Sequence, residues 1–243
     1  MKLFRDRQGI IPACDVATME ALGDLVSATC ELAFIQGYKI GMQLVVHYGA
    51  SQVAQTIRGA TDLPIIYDHQ KFGTDIPEIC GGPILHTLKD AGVDALIIFP
   101  QAGVETLKAT VEACDQLGLV AIGGGEMTHK AYLARDGGYI ADDAPQRMYA
   151  DAARFGVQYF VVPGTRVESI TRYRAQLGKL LEAPRFLFPG VGKGQGGDIV
   201  AAFAAVSPLS AYAIVGRGIY AEEDSRQAAI NLWNNVQSQI ARD

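Results

Sequence analysis

Three ionisable side chains, Asp68, Lys71 and Asp75, fall within eight residues of the stretch Tyr67 to Glu78, YDHQKFGTDIPE. Carboxylate, ammonium and carboxylate crowd together there. The β-branched run Leu63 to Tyr67 predicts a strand that delivers the cluster. Gly73 then permits a tight turn, and Thr74-Asp75 stands where a helix would begin. At the carboxyl end of a strand in an alternating strand-helix chain, such a trio is placed to act on a ligand, because these folds gather their loops there. A plainer reading makes Asp75 a helix cap, with Glu78 completing a capping box, and Asp68 and Lys71 a surface pair.

A second stretch with chemical content is Pro189 to Ile199, PGVGKGQGGDI. It contains a literal GxGxxG from Gly192 to Gly197, but a dinucleotide site wants an acidic residue about 20 positions on, where Arg217 stands instead. Glycines let backbone amides approach an anion closely, and helix N-termini add partial positive charge. With VGRGIY, Val215 to Tyr220, the stretch has the makings of a phosphate grip, in which Arg217 engages phosphate oxygens by paired hydrogen bonds.

The elements that must position these groups follow from apolar runs with helical patterns between them. Strands are expected at Gly9 to Val16, carrying Asp15, at Tyr38 to Met42, carrying Lys39, and at Leu63 to Tyr67. Others are expected at Val93 to Phe99, Leu119 to Gly123, Val157 to Val162, Phe186 to Phe188 and Ala211 to Val215. Helices are expected over Met19 to Phe34, Ala50 to Arg58, the stretch up to Ala91, Val104 to Leu117, Ala144 to Phe155, Arg166 to Leu181 and Glu222 to Ile240. Parallel strands need helical crossovers, so eight strand-helix units predict an α/β fold, a closed (β/α)8 TIM barrel spanning residues 1–243 as one domain. The length of 243 residues agrees, since about 250 is usual for that fold.

Composition narrows the function further. A net charge of -5 without a basic stripe argues against nucleic-acid binding. Cys14, Cys30, Cys80 and Cys114 are scattered without a CxxC pair, so they read as reduced, mostly buried thiols in a cytoplasmic protein, with no metal site and no disulfide framework. The amino terminus has no apolar core of signal-peptide length. Ile199 to Gly216 is uncharged, but Ser207, Pro208 and Ser210 interrupt it, and its halves suit a short helix and a strand better than a membrane span of about 20 residues. His69 and His129 read as structural, His47 and His86 lack ligand spacing, and Trp233 reads as core or interface packing.

These residues resemble the orotidine 5'-phosphate decarboxylases, within a barrel superfamily that also holds hexulose-phosphate synthases and keto-gulonate-phosphate decarboxylases. The family pattern of aspartate, lysine and aspartate followed by Ile-Pro is met by Asp68, Lys71, Asp75, Ile76 and Pro77. Pro-Gly-Val-Gly followed by Gln-Gly-Gly-Asp is met by Pro189 to Gly192 and Gln195 to Asp198, and Val-Gly-Arg with Ile-Tyr by Val215 to Tyr220. Asp15, Lys39 and GEMTHKA, Gly125 to Ala131, extend the resemblance over the whole barrel. Two departures stand out: the first motif is spaced Asp-x-x-Lys-x-x-x-Asp, one residue longer in each gap than usual, and Lys193-Gly194 lengthens the seventh loop by one residue. Strict alternation would put Gln70 beside Asp68, so a bulge is expected to bring Lys71 back.

The resemblance implies decarboxylation of orotidine 5'-monophosphate to UMP without a cofactor. It assigns catalysis to an array of Lys39, Asp68, Lys71 and Asp75, with Lys71 as proton donor. It assigns Asp15 to ribose, Thr128 and the adjoining backbone to the pyrimidine, and Gln195, Gly216 and Arg217 to phosphate, with Pro189 and Ile76 also against the ligand. Because the family's second aspartate enters the neighbouring subunit's site, Asp75 and Ile76 imply a homodimer. Two other readings are a phosphosugar lyase of the same superfamily, with a metal-stabilised enediolate, and a barrel that binds a phosphate ligand without catalysis.

Overall fold

The computed structural model describes residues 2–68, 73–192 and 196–240. Eight parallel strands form one sheet: β1 (Gln8–Pro12), β2 (Tyr38–Gly41), β3 (Ile65–Asp68), β4 (Ala95–Ile98), β5 (Val120–Gly124), β6 (Tyr159–Val161), β7 (Arg185–Phe188) and β8 (Ser210–Val215). Neighbours in sequence are neighbours in the sheet, and β1 also pairs with β8, in the register Gln8 to Ala211 through Pro12 to Val215. Between β1 and β2 the barrel is joined by isolated parallel bridges, Ile10 to Ile35 and Ala13 to Lys39. There the Cys14 N–H donates to the Lys39 carbonyl at 2.8 Å. The fold is the expected TIM barrel, with helices crossing from each strand to the next.

Alternation along the strands builds two apolar layers. Ile11, Ile66, Ile97, Ile122, Val161, Leu187 and Ile214 fill the barrel interior. Their neighbours Ile10, Ile65, Leu96, Phe160, Phe186 and Ala213 face the helices. Strands buried on both faces read as continuous apolar runs, which is why they were visible in the sequence. The amino-terminal end of the barrel is plugged by Phe4, whose ring meets Tyr159 edge-on at 5.6 Å and lies tilted against Tyr212 at 4.3 Å. The Leu3 N–H donates to the Tyr159 hydroxyl, and the Tyr212 hydroxyl donates to the Asp6 carbonyl, each at 2.8 Å.

The helices differ from expectation in several places, the first ending at Thr29 rather than Phe34 and the one after β6 at Leu177 rather than Leu181. Residues Met42–Tyr48 form a helix ahead of Ala50–Arg58, divided from it by Gly49 at φ 81°. The helix after β3 is broken into Pro77–Cys80 and Pro83–Asp90 at Gly82, where a Cβ would lie 2.2 Å from the Glu78 carbonyl oxygen and where Pro83 has no N–H to carry the helix on. The four-residue helix Arg217–Tyr220 precedes the closing helix Ser225–Ile240. The uncharged segment resolves into the helix Ile199–Val206 and β8. Among the described residues no helix is long and apolar enough to cross a membrane. Trp233 stacks on Phe34, with ring centroids 5.2 Å apart, and the rings of His129 and Tyr132 meet edge-on.

Candidate active site

Register places the central cluster. Lys39 lies opposite Ile66, and Gly41 opposite Asp68, so Lys39 and Asp68 share the parity of the interior residue Ile66 and point into the barrel at successive levels. The Lys39 ammonium lies 3.1 Å from Asp68 Oδ2 and 3.5 Å from Asp15 Oδ1. Only 10% of the Lys39 side chain and 11% of that of Asp68 is exposed, so both ions are largely removed from water. Burial on its own lowers the lysine, yet the facing charges of Asp68 and Asp15, with their hydrogen bonds, hold it above its ordinary value of 10.5. It is therefore a fixed cation. Asp68 Oδ1 is buried and has no hydrogen-bond partner among the described residues. Beside the cluster, burial pushes the Cys14 thiol up to about 12, keeping it neutral.

Asp15 reaches this cluster although the strand ends earlier than expected, at Pro12. Past Pro12 the backbone keeps bonding by taking two neighbours in turn: Ala13 N–H donates to Val215 O, and Cys14 N–H to Lys39 O. Gly41 leaves room for the contact, since a Cβ there would lie 3.3 Å from Asp15 Oδ1. Gly216, at the end of β8, borders the same carboxylate: a Cβ on it would sit 3.9 Å from Asp15 Oδ2.

Asp68 also faces a cavity of about 60 Å³ at the carboxyl ends of the strands, rimmed by Glu126, Met127, Thr128, His129 and Pro189 and floored by Ile97, Phe99, Val161 and Ile214. Thr128 and Pro189 thus line the same cavity as Asp68. The Thr128 hydroxyl has no hydrogen-bond partner among the described residues.

The glycine loops are shaped by backbone packing. Gly190 and Gly192 adopt φ of 79° and 101°, and Gly197 donates to the Gly190 carbonyl while its own carbonyl accepts from Gly192, both at 3.0 Å. The helix N-terminus that follows is not free for an anion, because Asp198 already caps it, accepting from Val200 N–H at 2.8 Å and Ala201 N–H at 3.4 Å. Arg217 opens the next short helix, with an exposed guanidinium that has no partner among the described residues.

Asp75 stands apart from the cavity. Its Oδ1 accepts from Ile76 N–H at 2.7 Å, and its carbonyl accepts from the Thr106 hydroxyl at 2.8 Å. The capping-box reading fails, because the N-cap of Pro77–Cys80 is Ile76 and no side chain bonds that helix end. Ile76 is 57% exposed, and Ile79 and Ile84 near it are exposed too. Lys71, Gln195, His69 and Gln70, and with them the expected bulge, lie outside the described residues.

One buried group went unmarked in the sequence. Glu126 has a fully buried side chain that accepts from Arg166 Nη1 at 2.6 Å and from the Tyr173 hydroxyl, with Arg172 Nη2 at 3.6 Å. Burial and the Glu126 charge both push the Tyr173 hydroxyl up, so it stays a donor. The signal was a lone carboxylate two residues past the end of β5, after an apolar run and three glycines, a position too enclosed to leave a charge unpaired.

A parallel barrel that gathers Asp15, Lys39 and Asp68 at its carboxyl face, beside glycine-shaped loops, has the architecture of a TIM-barrel enzyme. Residues 9–232 match the family model described as "Orotidine 5'-phosphate decarboxylase / HUMPS family", and the chain belongs to that family. It is 30% identical over 239 residues to the orotidine 5'-phosphate decarboxylase of Methanosarcina barkeri, covering 96% of this chain and 97% of that one. It is 31% identical over 211 residues to that of Pyrococcus furiosus, covering 86% and 89%. In fold it is similar to the crystal structure of orotidine 5'-monophosphate decarboxylase from Methanocaldococcus jannaschii complexed with the inhibitor BMP, with TM-score 0.80, 21% identity and coverage of 94% and 98%.

Proposed function

We propose that this chain, acting as one barrel unit in the cytoplasm, decarboxylates orotidine 5'-monophosphate to UMP and CO2, and that it does so as a homodimer. The observation that carries the reading is Lys39 bridging Asp68 and Asp15 inside a barrel of this family. In the reaction the bond between C6 and the carboxylate carbon breaks, CO2 leaves, and the electron pair stays on C6. The ammonium of Lys71 faces that pair and then donates the proton that completes UMP. Asp68, held by Lys39, stands near the departing carboxylate. Its unpartnered Oδ1 is a further acceptor there, and like charge is relieved as CO2 leaves.

Asp15 accepts from the ribose hydroxyls. Thr128 and Pro189 border the pyrimidine in the cavity shared with Asp68. Gln195, Gly216 and Arg217 hold the phosphate. The exposed Asp75 and Ile76 belong to the partner's site, which gives their exposure a use.

A spectrophotometric assay with orotidine 5'-monophosphate in excess chelator tests the reading. Turnover is expected to persist; activity that vanishes with chelator and returns with magnesium would favour a metal-dependent phosphosugar lyase. Arg217→Ala is expected to lower kcat/KM by about 2 to 4 kcal/mol, as loss of a charged hydrogen-bond partner remote from the reacting carbon does. An unchanged kcat/KM would place the phosphate elsewhere.

A further inference from the structure

Glu126 has no part in the chemistry outlined above, yet it is the most enclosed carboxylate in the site region, with a side chain 0% exposed. A buried charge persists only where paired and hydrogen-bonded, and the partners of Glu126 among the described residues come from one place: Arg166 and Tyr173 as hydrogen-bond donors and Arg172 as an ion pair, at and along the helix Val167–Leu177. Its own backbone N–H donates to the Tyr149 hydroxyl at 3.2 Å, and that hydroxyl donates to the Val161 carbonyl of β6 at 2.7 Å. The preceding carbonyl, of Gly125, accepts from the Tyr132 hydroxyl at 2.7 Å. The loop after β5 is thus clamped from both sides at residues 125 and 126, two residues before Thr128, whose hydroxyl is unbonded among the described residues and borders the Asp68 cavity.

We propose that Glu126 is a positioning residue for recognition of the substrate's base. Through Arg166, Arg172 and Tyr173 it fixes the loop so that Thr128 is held across the cavity from Asp68 before the ligand arrives. The role rests on the decarboxylase reading for its ligand, a pyrimidine nucleoside monophosphate, but the clamp itself is a property of the loop. A group that acts through another must be coupled to it energetically, whereas a purely structural group is not.

The test combines amide hydrogen exchange with a double-mutant cycle. In Glu126→Gln, exchange across residues 125–132 is expected to quicken at least about tenfold, with strand amides of β7 and β8 unchanged, as local rather than global opening would give. The same variant is expected to lose up to about 100-fold in kcat/KM with orotidine 5'-monophosphate, the scale of a small misplacement near a reacting group. On a Thr128→Ala background most of that loss should disappear. Tyr173→Phe, which removes one hydroxyl and little volume, should reproduce the effect at smaller size and covers the case in which Glu126→Gln does not fold. Equal losses in both backgrounds, or exchange of residues 125–132 as slow as in the unaltered protein, would overturn the proposal. An unaltered protein that leaves orotidine 5'-monophosphate intact would overturn the decarboxylase reading alone, and the exchange comparison would then decide the clamp.

Discussion

Lys39→Ala is expected to lower kcat/KM on the order of 100- to 5000-fold, about 3 to 5 kcal/mol, the cost of removing one partner from a buried ionic network. Its ammonium is the cation common to Asp15 and Asp68, at 3.5 and 3.1 Å, and without it Asp68 keeps an enclosed position with no ion-pair partner among the described residues. A carboxyl in that state takes up a proton or turns away, and either outcome removes the charge placed beside the departing carboxylate. Arginine is a poor replacement, because a planar fork cannot occupy the point between two carboxylates that an ammonium fills. The sign of the pH dependence follows from the raised pKa: the stability that Lys39 contributes is fully present below the unfolded value, 10.5, and is lost as the pH rises through the folded one. Denaturant unfolding should therefore show a stability gap between the unaltered and Lys39→Ala proteins that holds at neutral pH and narrows only in alkali. A gap of zero at neutral pH, or unaltered kinetics, would remove Lys39 from the site.

The second large effect concerns the proposed dimer. Lys71→Ala and Asp75→Ala proteins are each expected to be nearly inactive, and mixing them under conditions of subunit exchange is expected to restore activity. A site built from Lys71 of one chain and Asp75 of the other survives intact once in each heterodimer, whose other site carries both lesions. Equal mixing makes about half the dimers heterodimeric, so recovery should approach roughly a quarter of the unaltered activity. The geometry behind this is the outward-facing Asp75, tied to Ile76 N–H and anchored through its carbonyl to Thr106, with Ile76 and Ile79 bare beside it. No recovery in a preparation shown to contain heterodimers would return Asp75 to its own subunit's site. A fully active Lys71→Ala protein would show that the longer spacing has passed the proton donor's role to another residue.

The barrel was legible because its strands are apolar on both faces, so β4 and β8 stood out as runs without any help from periodicity. The helix Met42–Tyr48 was missed because its valines and tyrosine match a strand as readily as a helix, and only the turn at Gly49 separates it from the next. The pairing of Lys39 with Asp68 rests on which strands are neighbours and in what register, and spacing along one strand carries no such information. Glu126 escaped for a related reason: its partners lie 40 to 47 residues on, so nothing local marked it as paired.

The pairing of β1 with β8 also bears on how the molecule is made. Gln8 meets Ala211, roughly 200 residues later in the chain, and the Ala211 N–H donates to the Arg7 carbonyl. At about 5 to 20 residues per second, a ribosome needs roughly 10 to 40 seconds to bring that partner into existence. Throughout that interval the first strand has one open edge, held only along its seam with β2, and the Phe4 plug lacks Tyr212. Exposed strand edges of this kind recruit other chains. Nascent chains halted just short of Ser210 should therefore be the form of this protein most dependent on chaperones.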